Sequence, residues 1–342
     1  MRRSPSFRLG TRPGTAAVAL ASVAAAASVA FAAPALADGG DGGFTIKDPR
    51  ITESSGLAAS RVHPGVYWTH NDSDDGPYLY AVDGRTGETV ARVTMSGVGA
   101  PRDVEAISLG PDGDLYVGDI GDNLGGKWDH VWIYKLPEPK VLKDQTIRAT
   151  QYVVKYSDGP RNAEALMVHP KTGRVYIADK DEDGGHLYEG PARLSATGTN
   201  VFRPVAPVDL WVTDGAFSPD GRHLAVRGYF GGILYDWNGG RIKREDRLNV
   251  PLQRQGESIT YTTDGTKLMY GSEGADSSVQ PEDAPGAGGS GGSDGKSPSQ
   301  GGGSASGDGG GGSMSGSAKV GAVALAALLA AVFGFRRLRR RR

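Results

Sequence analysis

Five times along this chain a carboxylate, a small residue and an aliphatic residue open a strand-like stretch. The copies are Glu53-Ser54-Ser55-Gly56-Leu57, Glu105-Ala106-Ile107, Glu164-Ala165-Leu166, Asp214-Gly215-Ala216-Phe217 and Glu257-Ser258-Ile259. Four of them have an arginine three residues upstream, Arg50, Arg102, Arg161 and Arg254, and Trp211 takes that place in the other. The copies recur at intervals of about 43 to 59 residues, near the length of one four-stranded propeller blade. A repeat of this length restricts the chain to architectures in which like units stack side by side.

The residues between the acids fill in the unit. A turn follows each short apolar strand: His63-Pro64-Gly65, Pro111-Asp112-Gly113, Pro170-Lys171-Thr172-Gly173, Pro219-Asp220-Gly221 and Thr263-Asp264-Gly265. A second β-rich stretch comes next, as in Val66-Tyr67-Trp68-Thr69 and Val175-Tyr176-Ile177, then a third such as Val131-Trp132-Ile133-Tyr134. A fourth, such as Tyr152-Val153-Val154-Lys155-Tyr156, leads into the next repeat, and no long stretch carries a helical period. The expected fold is all-β, a five-bladed β-propeller, with a six-bladed ring holding one degenerate blade as the alternative. The last repeat is short of strand-forming residues after Ser277, whereas Phe44-Thr45-Ile46-Lys47 has no blade of its own. Placing this N-terminal strand on the outside of the last blade closes the ring and covers an exposed edge.

The ends of the chain have a different composition. Arginines at positions 2, 3, 8 and 12 precede an Ala/Val run that ends in Ala35-Leu36-Ala37, the pattern of a secretory signal peptide over residues 1–37 cleaved near Ala37. The pair Arg2-Arg3 leaves twin-arginine export open beside general secretion. A short disordered lead, 38–43, precedes the propeller at 44–283, and residues 284–318 form a disordered Gly/Ser-rich linker with a reach of roughly 30 Å. Residues 319–335 read as a single transmembrane helix and 336–342 as an arginine-rich cytoplasmic tail, so the propeller is expected outside the cell membrane. With no cysteine anywhere, an exported domain of this kind must be held by its core alone.

Between Phe44 and Asp283 acids outnumber bases, for a net charge of about −9. So acidic a surface argues against nucleic acid and fits a divalent cation or a cationic ligand. In a propeller the first strand of each blade lines the channel, so Glu53, Glu105, Glu164, Asp214 and Glu257 are expected to form a ring at one mouth. Such a ring needs neutralising, either by Arg50, Arg102, Arg161 and Arg254 or by a bound hard cation such as calcium. Asp179-Lys180-Asp181-Glu182-Asp183-Gly184 matches the opening of a calcium loop, which makes Asp179, Asp181 and Asp183 candidate metal ligands. The same residue types serve ordinary hairpin turns, and the twelfth position of the loop is Gly190 rather than an acid. Motifs for serine or zinc hydrolases and for phosphate-binding loops are missing from the sequence, and no catalytic residue is assigned.

The set Glu53-Ser54-Ser55-Gly56-Leu57, Asn71-Asp72-Ser73-Asp74, Asp103-Val104-Glu105-Ala106-Ile107, Gly118-Asp119-Ile120-Gly121-Asp122-Asn123, Asn162-Ala163-Glu164-Ala165-Leu166 and Gln255-Gly256-Glu257-Ser258 resembles a family of exported, WD-repeat-like propeller proteins of high-GC Gram-positive bacteria. The likeness runs from about Arg50 to Gly274. More distantly, an acid, a small residue and Leu or Ile at the head of each blade is similar to calcium-dependent propeller phytases and their esterase-like relatives. That second likeness implies calcium in the channel and hydrolysis of phosphoesters or lactones. This chain departs from the phytases in lacking a lysine-rich phosphate cleft; Lys180 and Arg227 are the basic residues at the matching strand ends. The expected function is therefore a membrane-anchored, monomeric binding module at the cell surface, meeting an extracellular protein or a small ligand at its channel mouth. A calcium-dependent hydrolase is the alternative, and a structural role in the cell envelope the third.

Overall fold

A computed structural model describes residues 42–286 with the exception of Asp74. The expected signal peptide, membrane helix and arginine tail lie outside the described residues, as does nearly all of the linker. Every regular element among the described residues is a β-strand.

After the short β1 (Phe44–Thr45), the first antiparallel meander comprises β2 (Ser54–Ala59), β3 (Val66–Asn71), β4 (Tyr78–Asp83) and β5 (Thr89–Ser96). The second uses β6 (Val104–Leu109), β7 (Asp114–Asp119) and β8 (Val131–Pro137), then passes through β9 (Gln145–Arg148) to β10 (Thr150–Tyr156). The third is β11 (Ala163–Val168), β12 (Val175–Asp179), β13 (Gly185–Glu189) and β14 (Thr199–Val208). The fourth is β15 (Val212–Phe217), β16 (His223–Gly228), β17 (Gly231–Asn238) and β18 (Arg241–Leu248). The fifth has β19 (Gly256–Tyr261), β20 (Lys267–Ser272) and β21 (Ser278–Asp283), and β1 supplies its outer strand through Phe44↔Val279 and Thr45↔Ser278. The strand-poor segment after Ser277 thus forms a strand after all, with Val279 alone in it fully buried.

The turns behave as their composition requires. In the second meander Gly113 sits at φ +79°, a conformation that costs a residue without Cβ least, and its equivalents at the other four turns are also left-handed.

The core is divided among the seams between sheets. Trp68, Leu79 and Val93 of the first meander pack against Leu115, Val117 and Tyr134 of the second. Ile133 and Val154 meet Leu166 and Ile177 at the next seam, and Tyr176 and Leu187 meet Val226 and Trp237 at the one after. Leu234 and Leu248 meet Ile259 and Tyr270, and a fifth cluster joins Met269 and Val279 back to Leu57, Tyr67 and Tyr80. The first strands of the meanders lie side by side in the same cyclic order, β19 returning to β2. All five border a cavity of about 130 Å³ at the ends where those strands finish. The molecule is accordingly all-β and propeller-like.

Sheet edges are covered or charged. Strand β9 leaves the second meander to pair in parallel with β5 of the first, and the first half of β14 pairs in parallel with β10. These excursions satisfy backbone groups that would otherwise template another chain. The fourth meander has no such cover among the described residues, but its edge strand reads Arg-Ile-Lys-Arg-Glu-Asp-Arg-Leu, and that density of charge discourages pairing.

Candidate functional site: an acidic mouth

Each first strand begins with one extra residue relative to its partner. In the second meander Val104 pairs with Asp119 and Ala106 with Gly118, so Glu105 is bulged out of the ladder. The same irregularity occurs between Ala163 and Ala165, Val212 and Asp214, Gly256 and Ser258, and Ser54 and Leu57. A bulge re-aims its side chain, here towards the axis. In this register Glu105, Glu164 and Glu257 are equivalent, and the first and fourth meanders offer Ser55 and Thr213.

The pairing therefore corrects the equivalence of the five acids. Glu53 lies two residues ahead of its ring position, beside Ser73, whose hydroxyl donates to it at 3.3 Å. Asp214 lies one residue beyond the ring position and accepts from Gly215 N–H at 2.7 Å and from Ile259 N–H at 2.8 Å, which ties β15 to β19. Glu105, Glu164 and Glu257 are all at least 96% buried, with 3%, 3% and 4% of their surface exposed.

The four arginines engage other partners, which corrects their assignment as ring neutralisers. Arg50 makes a fork with Asp48, at 2.9 and 2.6 Å. Arg102 is sandwiched between Trp128 and Trp132, with its guanidinium 4.0 and 3.8 Å from the ring centroids, and donates to His130 O at 2.8 Å. Arg161 binds Asp158 at 2.6 Å and Asp179 at 3.3 Å, and Arg254 is exposed. In these places the guanidinium stays partly exposed, 48% for Arg50 and 26% for Arg161, and keeps part of the hydration that a closed ring of acids would remove.

The cation that meets the acids is Lys180. Its ammonium lies 2.8 Å from Glu164 Oε1 and donates to Tyr229 OH at 2.8 Å, with 12% of the side chain exposed. Burial opposes its charge, but Glu164, Tyr229, Glu257 and Glu105 hold its pKa well above that of a free lysine. Arg227, fully buried, turns away and donates to Gln253 Oε1, Ser258 O and Gly271 O at 3.2, 3.0 and 3.1 Å. Glycine at 256 leaves room for it, since a Cβ there would fall 1.8 Å from Arg227 Nη2.

Lys180 belongs to a second tier of the mouth. The residue directly after the second strand of each meander is Asp72, Ile120, Lys180, Tyr229 or Glu273. In the first three meanders the strand-end residue before it is a tie. Asn71 Oδ1 accepts from Thr52 and Glu53 N–H, both at 3.0 Å. Asp119 accepts from Arg102 N–H at 3.1 Å, Asp103 N–H at 3.0 Å and Tyr134 OH at 2.6 Å. Asp179 occupies the same place and accepts from Arg161 and from His186 N–H. Asp181 accepts from Asp183 N–H at 3.0 Å within an exposed turn. Asp179 is thus a strand-end tie, and Asp181 and Asp183 lie in the exposed turn that follows it.

Acids exceed cations at the mouth. Burial pushes up the pKa of Asp72, Asp103, Glu105 and Glu164, and the mutual repulsion of these groups adds to it. Burial, with Glu257, Asp72 and Glu53 nearby, raises Glu273 to about 8. Glu257 accepts from Gln255 at 3.0 Å through Oε1, whereas its buried Oε2 has no partner among the described residues. Oxygens of Asp72, Asp103 and Glu105 all lie within 4.8 Å of one another. The rim on the fourth and fifth meanders is apolar. Tyr229 stacks edge-on against Trp211 at 5.1 Å, next to Phe230, which is 61% exposed, and Leu252 in the following loop is 93% exposed.

No protein-family model matches the chain, and no curated protein does. Solved structures with a similar course of the chain include one from the mitotic checkpoint complex, 13% identical at TM-score 0.36, with 67% of this chain covered and 60% of that one. Others are the Kuenenia stuttgartiensis hydrazine synthase (12% identity, TM-score 0.40, coverage 68% and 72%) and U3-55K (9%, 0.38, coverage 70% and 98%). The chain thus spans 60% of the length of the mitotic checkpoint chain it matches.

Proposed function

We propose that this chain is a five-bladed propeller, displayed outside the cell by its C-terminal segment, that binds a protein partner through the acidic mouth. The five meanders in cyclic order, with β1 on the outside of the fifth, support the blade number. The signal-like start and the apolar segment before the arginine tail support the location.

The observation that carries the binding reading is the joining of two surfaces on neighbouring blades. Phe230 and Leu252 stand in solvent on the fourth blade and the loop to the fifth, and Glu257 and Glu273 lie at the start of β19 and directly after β20, at one end of the fifth blade. Exposed apolar anchors around a desolvated charge are what a protein interface uses for affinity and specificity. Lys180 on Glu164 and Tyr229 already shows the mouth holding an ammonium. The partner accordingly presents a lysine or arginine over the fifth blade, flanked by apolar residues that cover Phe230 and Leu252.

Titration of the full-length protein with a synthetic peptide bearing one central lysine between leucines tests this, against the same peptide with glutamate in its place. Binding is expected for the lysine peptide, with affinity falling at least tenfold in Glu257→Gln/Glu273→Gln and in Phe230→Ser/Leu252→Ser. Equal affinity for both peptides, or for wild type and variants, overturns the proposal. Turnover of phosphomonoesters or lactones that is lost in Glu105→Gln would replace it with the hydrolase reading.

A further inference from the structure

We propose that Asp72, Asp103 and Glu105 form a binding site for a hard divalent cation of calcium's size, in the seam between the first and second blades. The mouth is electrostatically lopsided. On the third blade the second-tier residue is Lys180, which neutralises Glu164. On the first two blades that tier supplies Asp72 and Ile120, so the Lys180 ammonium, in contact with Glu164, acts on Glu105 and Asp103 only through space. One half of the ring has a directly paired cation and the other half lacks one.

The local geometry suits an ion. Three carboxylate oxygens lie within 4.8 Å of one another, one from each residue. Calcium, with bonds of about 2.3–2.6 Å and flexible geometry, accommodates carboxylates gathered this loosely, whereas magnesium demands near-ideal octahedral geometry at about 2.0–2.1 Å. A second observation points at a ligand independently of this spacing: Glu105 is 3% exposed, and no hydrogen bond or ion pair among the described residues ends on its carboxylate. Asp72 Oδ1 is likewise buried without a partner among the described residues. A buried carboxylate left in this way must hold a proton or meet a cation.

The surrounding chain fixes these oxygens in advance. Asn123 donates to Asp103 Oδ2 from its side chain at 3.3 Å and from its backbone at 3.4 Å. Val104 N–H donates to Asp72 O at 2.7 Å, which joins the two blades at the site. Gly121 packs directly against the acids, because a Cβ there would stand 2.6 Å from Asp103 Oδ2 and 2.6 Å from Glu105 Oε1. The glycine in Gly118-Asp119-Ile120-Gly121-Asp122-Asn123 is thereby explained as a close approach of backbone to a carboxylate pair. An ion here satisfies Asp72, Asp103 and Glu105 and takes no ligand from Glu257 or Glu273 on the fifth blade, so the site does not depend on the partner proposed above.

The test uses the full-length protein, stripped with EDTA, desalted, and titrated with calcium chloride by calorimetry and by thermal unfolding. One site is expected, and calcium at a hundredfold excess over Kd raises Tm by about 5 to 10 °C. Magnesium binds at least tenfold more weakly. Affinity falls at least tenfold in Asp103→Asn and in Glu105→Gln and is unchanged in Asp181→Asn/Asp183→Asn. If Glu105→Gln fails to fold, Asp72→Asn takes its place. Absence of calcium heat and of any Tm shift in wild type overturns the site, as does calcium binding that survives Asp103→Asn and Glu105→Gln or is lost in Asp181→Asn/Asp183→Asn. A silent calcium titration beside intact lysine-peptide binding removes the cation site alone.

Discussion

Lys180 is the residue on which the electrostatics of the mouth turns. It reaches Glu164 at 2.8 Å from a neighbouring strand, and Glu164 is 97% removed from solvent, with 3% of its surface exposed. Removing one partner of a buried pair leaves the other charge uncompensated. Lys180→Met is therefore expected to lower unfolding free energy by about 3 kcal/mol at pH 8.5. The loss shrinks at pH 5.5, where Glu164 takes up a proton, and Lys180→Met/Glu164→Gln recovers most of it; urea unfolding at the two pH values checks this. A pH-independent loss would mean that the lysine stem acts through packing. The three ring glutamates could be read from the sequence because acid, small and aliphatic residues recur together. Glu53 and Asp214 carry the same pattern at the wrong register, and the bulge that decides the register depends on pairing with the second strand. Lys180 sits inside Asp179-Lys180-Asp181-Glu182-Asp183, where the flanking acids mask it as a loop residue.

At the scale of elements, closure depends on a very short strand. Phe44 of β1 pairs with Val279 of the fifth meander and packs on Tyr67 of the first at 5.4 Å between ring centroids. Phe44→Ala is expected to cost about 3 kcal/mol, read as a lower urea midpoint with m unchanged. An unaltered midpoint would show that the ring closes without this contact. Strand β1 was legible because Phe44-Thr45-Ile46-Lys47 stands upstream of the first repeat with no unit of its own. Its partner β21 was not, since Ser-Val-Gln-Pro-Glu-Asp has little intrinsic strand preference and pairs because β20 and β1 flank it. The parallel excursions of β9 and β14 were equally hidden, because edge pairing is made by backbone groups that every residue carries.

For the whole molecule the raised carboxylates set an unusual dependence on pH. Asp72 and Glu273 bind protons up to about pH 8 in the folded state, and the unfolded chain releases them near pH 4. Between those limits the native state holds more protons, so unfolding free energy falls as pH rises. In EDTA, Tm is expected to decrease from pH 5 to pH 8.5, and a flat or rising profile would show that the acids are neutralised from within. Stability without disulfides is spread over five apolar seams, each built from strands adjacent in sequence except the one joining fifth to first. Local patterning by itself determined the repeated unit, its turns, its all-β character and the convergence of acids on one end, because hydrophobic alternation and turn chemistry act over a few residues. Only the tertiary structure decided which acids are equivalent, that the arginines face elsewhere, and that Lys180 neutralises one half of the mouth. Those outcomes depend on strand register and on distances between separate meanders, which no stretch of sequence encodes alone.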